Sequence, residues 1–244
     1  MSAKQEDMFK DVVGNVARFC AVAAVTAPKS GGQLFLKGSK PFIETVIVDD
    51  KETLRRLAQW LRERGTKLKN PIFLRDADTT EKVDLILFIG LRKWYPPMYD
   101  CGACGYGTCN EFLRAAPAHH GGESEDWEFL GPICQVRCVD LGIAVGSAVK
   151  LASIYNVDTR CQTRVAGAAR HLGIIESDFA VALGMSVTHK NIFFDRKVPE
   201  VDFSNPSLGQ SSGSPGRGAR GSSSLRGRPA RTDEVHASGG PAGF

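Results

Sequence analysis

Val83-Asp84-Leu85-Ile86-Leu87-Phe88-Ile89 is an almost unbroken apolar run that stops at Gly90. A strand with one wet face alternates apolar and polar residues, so a continuous run of this kind describes a strand buried on both faces. Such a strand needs cover above and below, and the flanking sequence supplies it. Met8, Val12, Val16, Phe19, Cys20 and Ala23 recur at the spacing of one apolar helical face, and that helix ends near Thr26-Ala27-Pro28, before a loop at Lys29-Ser30-Gly31-Gly32. Phe42 to Val48 (FIETVIV) is β-branched and predicts a strand. Residues 51 to 64 return to helical spacing through Leu54, Leu57, Ala58 and Leu61, which leaves Arg55, Arg56, Arg62 and Arg64 for the solvent face, and a loop then leads to Val83.

Farther on, Leu141 to Ile154 (LGIAVGSAVKLASI) predicts a small-residue helix with Asp140 as its N-cap. A helix from about Thr163 to Leu172 stops at Gly173, and Phe179 to Leu183 (FAVAL) is a further core strand. Helices and strands therefore alternate. The expected fold is α/β (α+β), a mixed sheet covered by helices, formed by residues 1 to 204 as one domain with a cysteine-rich insertion at about 95 to 138.

Charge divides unevenly along the 244 residues. From Asn205 onward five Arg oppose one Asp and one Glu, so the tail carries +3 of the formal +4 and residues 1 to 204 only +1. The tail, 205 to 244, is dominated by Gly, Ser, Pro and Arg and holds too few large apolar side chains to offset its backbone entropy, which predicts disorder. No aromatic residue lies among Arg217, Arg220, Arg226, Arg228 and Arg231 to stack bases, so nucleic acid is not an expected partner. No run of about 18 apolar residues occurs and the N-terminus MSAKQEDMFKDV is charged, so neither a membrane span nor a signal peptide is expected and the cytoplasm is the expected location.

Seven cysteines in such a chain point to metal binding rather than to a disulfide framework. Three fall within Cys101-Gly102-Ala103-Cys104-Gly105-Tyr106-Gly107-Thr108-Cys109. A 4Fe-4S cluster needs four thiolates meeting at one point, and a short loop supplies three of them only by curling tightly. Gly102, Gly105 and Gly107 permit that curl and leave backbone N–H groups free to face an anionic group. The fourth ligand must come from farther away, either Cys134 in Gly131-Pro132-Ile133-Cys134 or Cys138. Zinc is the competing metal, but its sites usually pair two ligands at each of two knuckles. A C-x-x-C redox pair leaves Cys109 without a role. Cys20 and Cys161 read as small buried hydrophobes.

The cysteine loop and Gly131-Pro132-Ile133-Cys134 are followed by Asp140-Leu-Gly-Ile-Ala-Val-Gly-Ser-Ala-Val-Lys150, Asn156-Val-Asp158 and Lys190-Asn-Ile-Phe-Phe-Asp195-Arg196. Together they resemble the uncharacterised ferredoxin-domain protein family of anaerobic bacteria and archaea, over about Ala24 to Arg196. The resemblance implies a 4Fe-4S cluster held by Cys101, Cys104, Cys109 and Cys134, because in that family the cysteine after Gly-Pro is shared and the position of Cys138 is aliphatic. It implies no reaction. The loop is also similar to the cluster motif of corrinoid iron-sulfur proteins. The order of Thr26-Ala27-Pro28, FIETVIV, the small-residue helix and FAVALGM is similar to nitroreductase-like flavoproteins. The paired N-terminal arginines that hold the flavin phosphate there are missing, which counts against FMN.

The expected function is therefore one-electron transfer by an iron-sulfur protein, with a redox protein as partner and a homodimer as one possible assembly, the oligomeric state being left open by the sequence. A cluster-fed flavin reductase, and a non-catalytic module with a structural zinc or cluster, are the alternatives. His119-His120 and the acidic run Glu123, Glu125, Asp126 and Glu128 read as loop and solvated-face residues. Lys29, Arg75, Asp76 and Arg196 fall near expected loops at strand ends, where structural ion pairs are the commoner use.

Overall fold

The computed structural model describes residues 4–29, 40–92, 96–120 and 127–194. Its elements are α1 (Gln5–Thr26), β1 (Ile43–Val48), α2 (Lys51–Leu68), α3 (Pro71–Lys82), β2 (Leu85–Leu91), α4 (Cys109–His120), α5 (Gln135–Ile154), β3 (Asp158–Gln162), α6 (Thr163–His171) and β4 (Phe179–Ser186). The four strands stand in the order β1-β2-β4-β3, and every neighbouring pair is antiparallel. This is the helix-covered sheet expected from the sequence.

β2 explains the layering. Successive side chains on a strand point to opposite faces. Leu85, Leu87, Ile89 and Leu91 enter one core with Val13, Val16, Ala17, Cys20 and Ala24 of α1 and Leu141, Ala144 and Ala148 of α5. Ile86 and Phe88 enter the other, with Leu54, Leu57 and Leu61 of α2, Phe73 of α3 and Val165 of α6. All seven β2 residues are buried, as the unbroken apolar run requires. On β4, Gly184 sits where a Cβ would come within 3.1 Å of the Phe193 ring, so its missing side chain lets that ring close the second core.

Several sequence expectations need correction. The inward side of α1 carries Val13, Val16, Ala17, Cys20 and Ala24, whereas Met8, Val12 and Phe19 are exposed. The helix has apolar residues on two adjoining sides, so spacing alone cannot say which side faces the sheet. The stretch expected to be a loop before Val83 forms α3, started by Asn70, whose side chain accepts the Ile72 N–H at 3.0 Å, with Pro71 at the first helical position. Arg64 is buried against Glu128 at 2.9 Å, not solvated, and Glu128 is correspondingly not part of a free acidic face. Arg75 and Asp76 lie on α3, where the buried Asp76 carboxylate accepts from Arg164 at 2.7 Å and Arg75 at 3.4 Å, a structural ion cluster. α5 begins six residues before Leu141, so Asp140 is no cap; it lies inside the helix, paired with Arg137 at 2.9 Å. Cys161 is exposed on β3 rather than buried. Lys29 is exposed. Glu123, Glu125, Asp126, Arg196 and the tail from Asn205 lie outside the described residues.

A candidate iron-sulfur site at the cysteine turns

Three of the four nominated cysteines belong to the segment that leads into α4. Its backbone takes left-handed conformations at Met98, Asp100, Gly102 and Gly105, with φ of 59°, 48°, 70° and 87°. Glycine adopts such angles without cost, and Asp tolerates them better than most residues. A turn from the Gly102 carbonyl to the Gly105 N–H, 2.9 Å, closes the loop between Cys101 and Cys104.

α4 is started by a reciprocal cap. Thr108 Oγ1 accepts the Glu111 N–H at 3.1 Å, while the Glu111 carboxylate accepts the Gly107 and Thr108 N–H groups at 3.0 and 3.2 Å. The pattern Thr-x-x-Glu over 108 to 111 is the sequence signature of that cap, and it places Cys109 in the first turn of the helix. His119-His120, expected in a loop, end the same helix. Asp100 ties the two ends of the loop together, accepting the Cys109 N–H at 2.6 Å and donating its own N–H to Cys109 Sγ at 3.4 Å. Tyr106 meets the buried Phe112 edge-on, 5.9 Å between centroids, which holds the loop against α4.

Cys134 occupies the N-cap position of α5 and its side chain makes no capping bond. The preceding Gly131–Pro132 peptide is cis. Leu130 N–H to Asp178 O at 3.0 Å and an edge-on Phe129–Phe179 contact at 4.7 Å fasten this turn to the start of β4. Cys138 lies one helical turn on, its N–H bonded to the Cys134 carbonyl at 3.1 Å. Burial pushes the Cys138 thiol up from its ordinary value, and the neighbouring Cys134 adds to the shift.

All seven cysteines are free thiols. Cys109 and Cys134 are buried, Cys104 is half-buried and Cys101 is exposed. The structure brings Cys109 onto Asp100 and Cys138 beside Cys134, but among the described residues no three His, Cys, Asp or Glu side chains are drawn together tightly enough to hold a metal ion. The residues fit an iron-sulfur group in donor type, and Cys134 heads α5 without a side-chain capping bond, at the helix end whose dipole favours an anion.

Beside Cys138 the surface opens into a groove of about 440 Å³ between α5 and the β3–β4 edge, with Gly142, Cys161, Arg164 and Phe179 among its other walls. Although Cys161 is exposed as a residue, the groove walls partly screen its sulfur from water, and that desolvation raises the thiol above its ordinary value. Sequence reasoning missed this groove because its residues come from four separate elements, α5, β3, α6 and β4.

A family described as "Uncharacterized protein containing a ferredoxin domain (DUF2148)" matches residues 130–196, a range that includes Cys134 and Cys138. An uncharacterised protein of Archaeoglobus fulgidus is 36% identical over 198 residues, covering 80% of this chain and 98% of the relative. The chain belongs to this ferredoxin-domain family. Ferredoxin domains are iron-sulfur units, so membership supports iron-sulfur electron transfer in general terms. Among solved structures, a BluB-like flavoprotein from Clostridium difficile 630 is 10% identical, covers 83% of this chain and 87% of its own, and superimposes with a TM-score of 0.43. That likeness is too loose to carry a ligand to the ferredoxin-domain chain. No helix among the described residues is long and apolar enough to cross a membrane.

Proposed function

We propose that the chain holds one 4Fe-4S cluster through Cys101, Cys104, Cys109 and Cys134 and transfers single electrons to a partner protein. The observation that carries the reading is the pairing of two free, buried thiols with two helix starts, Cys109 in the first turn of α4 and Cys134 at the N-cap of α5. When bound, such a cluster stores and releases one electron at a time. The chain's own residues supply the rest. Asp100 fixes the Cys109 backbone, the left-handed backbone at Gly102 and Gly105 shapes the loop that carries Cys101 and Cys104, and the dipole of α5 favours an anionic group at its N-cap, Cys134. The exposure of Cys101 leaves an edge through which a partner can approach.

Cys134 is preferred to Cys138 by position. It lies outside the regular part of α5, where the chain can still turn toward the loop, whereas Cys138 is fixed within the helix. Loading requires the two cysteine turns to close on each other, as in other metal sites whose formation is coupled to folding.

A second reading, a reductase, draws support from the groove next to Cys138, whose volume of about 440 Å³ lies in the range of small-molecule sites. Anaerobic purification separates these readings from a zinc module. The expected result is about four irons and four acid-labile sulfides per chain, with a broad absorption that bleaches on reduction. Stoichiometric zinc without sulfide would overturn both redox readings, and a heat-released yellow flavin would favour the reductase.

A further inference from the structure

The outward side of α1 has a regularity that its core side does not explain. Met8, Val12, Asn15, Phe19, Val22 and Thr26 follow one another at intervals of 4, 3, 4, 3 and 4 residues. That alternation keeps one stripe in line along five turns of helix and is the spacing by which helices pack against each other as knobs into holes. Every member is exposed. Met8, Val12, Phe19 and Val22 retain 45%, 48%, 53% and 62% of their surface accessible, while the residues that meet the sheet are Val13, Val16, Ala17, Cys20 and Ala24. Exposed apolar side chains scattered singly are ordinary, but a contiguous stripe of them marks a contact surface. The stripe continues onto the end of α5, where Tyr155 stacks on Phe19 with 6.4 Å between centroids and Ile154 is also exposed.

From this stripe we infer that the chain forms a two-fold dimer through α1, the occupant of the stripe being α1 of a second copy. A seam of this spacing takes a helix carrying the same spacing, and a two-fold axis brings the same stripe to both sides of the contact. The Gly-, Ser- and Pro-rich stretch after residue 204 lacks the apolar repeat needed to fill it.

Area supports the same occupant. Half-burying Phe19 and Tyr155, at roughly 150 to 250 Å² for each whole aromatic side chain, together with Met8, Val12 and Val22 of the stripe and the adjoining Ile154, removes on the order of 500 Å² per copy, so about 1,000 Å² in all, the lower bound for a specific interface. Asn15 is the single amide within the apolar part of the seam and accepts a hydrogen bond from Arg18 at 2.9 Å. A lone Asn among apolar seam residues restricts register at some loss of stability.

The contact also leaves the cysteine turns free. Tyr155 follows the last residue of α5 and Cys134 precedes the first, and a 20-residue helix separates its ends by about 30 Å. The inference does not depend on the cluster.

The test is the solution mass of the full-length protein, measured by light scattering and sedimentation from about 1 to 100 μM, a span that brackets the affinities of transient and stable dimers. The wild type is expected at twice the 26.4 kDa of one chain. The double variant Phe19→Lys, Val22→Lys changes side chains already in water, so it is expected to keep the wild-type circular dichroism and to sediment as a monomer. Leu74→Lys, on an exposed site of α3 away from the stripe, is expected to remain dimeric. A monomeric wild type, or a dimer indifferent to the double variant, would overturn the inference. Equal loss of dimer in Leu74→Lys would also count against it, because a stripe-specific contact ignores that position.

Discussion

The sheet and the cysteine turns are built by opposite means. β2 is buried along its whole length, and alternate side chains lock two cores on either side of it. The cysteine loop has Cys101 and Tyr99 in water and is shaped by a few hydrogen bonds, chiefly those of Asp100 and Glu111, and by left-handed backbone angles. The first region owes its shape to apolar area and holds without any ligand. The second carries free thiols, and among the described residues no three metal-binding side chains are grouped there.

The sharpest way to break that comparison is to remove side chains from each region and compare denaturant unfolding of the metal-free protein. Phe88→Ala, in the centre of β2 and fully buried, is expected to cost about 3 to 5 kcal/mol, a large share of the 5 to 15 kcal/mol typical of a domain. Asp100→Ala removes the acceptor of the Cys109 N–H and is expected to cost about 1 to 2 kcal/mol, with a larger effect on iron content than on the midpoint of unfolding. If the two variants were equally destabilising, the cysteine loop would be part of the core.

Legibility in the sequence follows the same division. Burial on both faces of β2 could be read from seven residues because apolar continuity has one structural meaning in a strand of that length. The facing of α1 could not, because both its sheet side and its 4-3-4-3-4 side are apolar. α3 was signalled by Asn70-Pro71, a helix start that the loop expected before Val83 left unused. At the site, the residue types and their order were legible, whereas the Thr-x-x-Glu cap at Thr108 to Glu111 was a helix signal left unread in the sequence. The position of Cys134 at the head of α5 was not legible, since the apolar rhythm of that helix begins at Leu141 and its first six residues carry none of it. The groove beside Cys138 and Cys161 depends on the β3–β4 pairing, which no local pattern announces.

Two smaller effects sharpen the contrast. The Arg62 hydrogen bond holds the Glu81 carboxyl below its ordinary 4.5, so its contribution to stability is complete above about that pH and fades as pH falls through the lowered folded value. Because this α2–α3 pair is partly in water, the contribution is at most about 1 kcal/mol, and Glu81→Gln should lose that portion of the acid dependence between pH 6 and pH 3 in unfolding curves. Smallest of all is Cys101→Ser in the metal-free chain, expected to shift stability by less than about 0.5 kcal/mol because the side chain is exposed. The same substitution should abolish the gain in melting temperature that iron and sulfide loading gives the wild type.

The most direct measurement is iron and sulfide content after anaerobic reconstitution of the wild type, Cys134→Ser and Cys138→Ser side by side. The account predicts about four of each per chain in the wild type and in Cys138→Ser, and a clear deficit in Cys134→Ser. Full loading of Cys134→Ser, or a wild type that takes zinc and no sulfide, would contradict it.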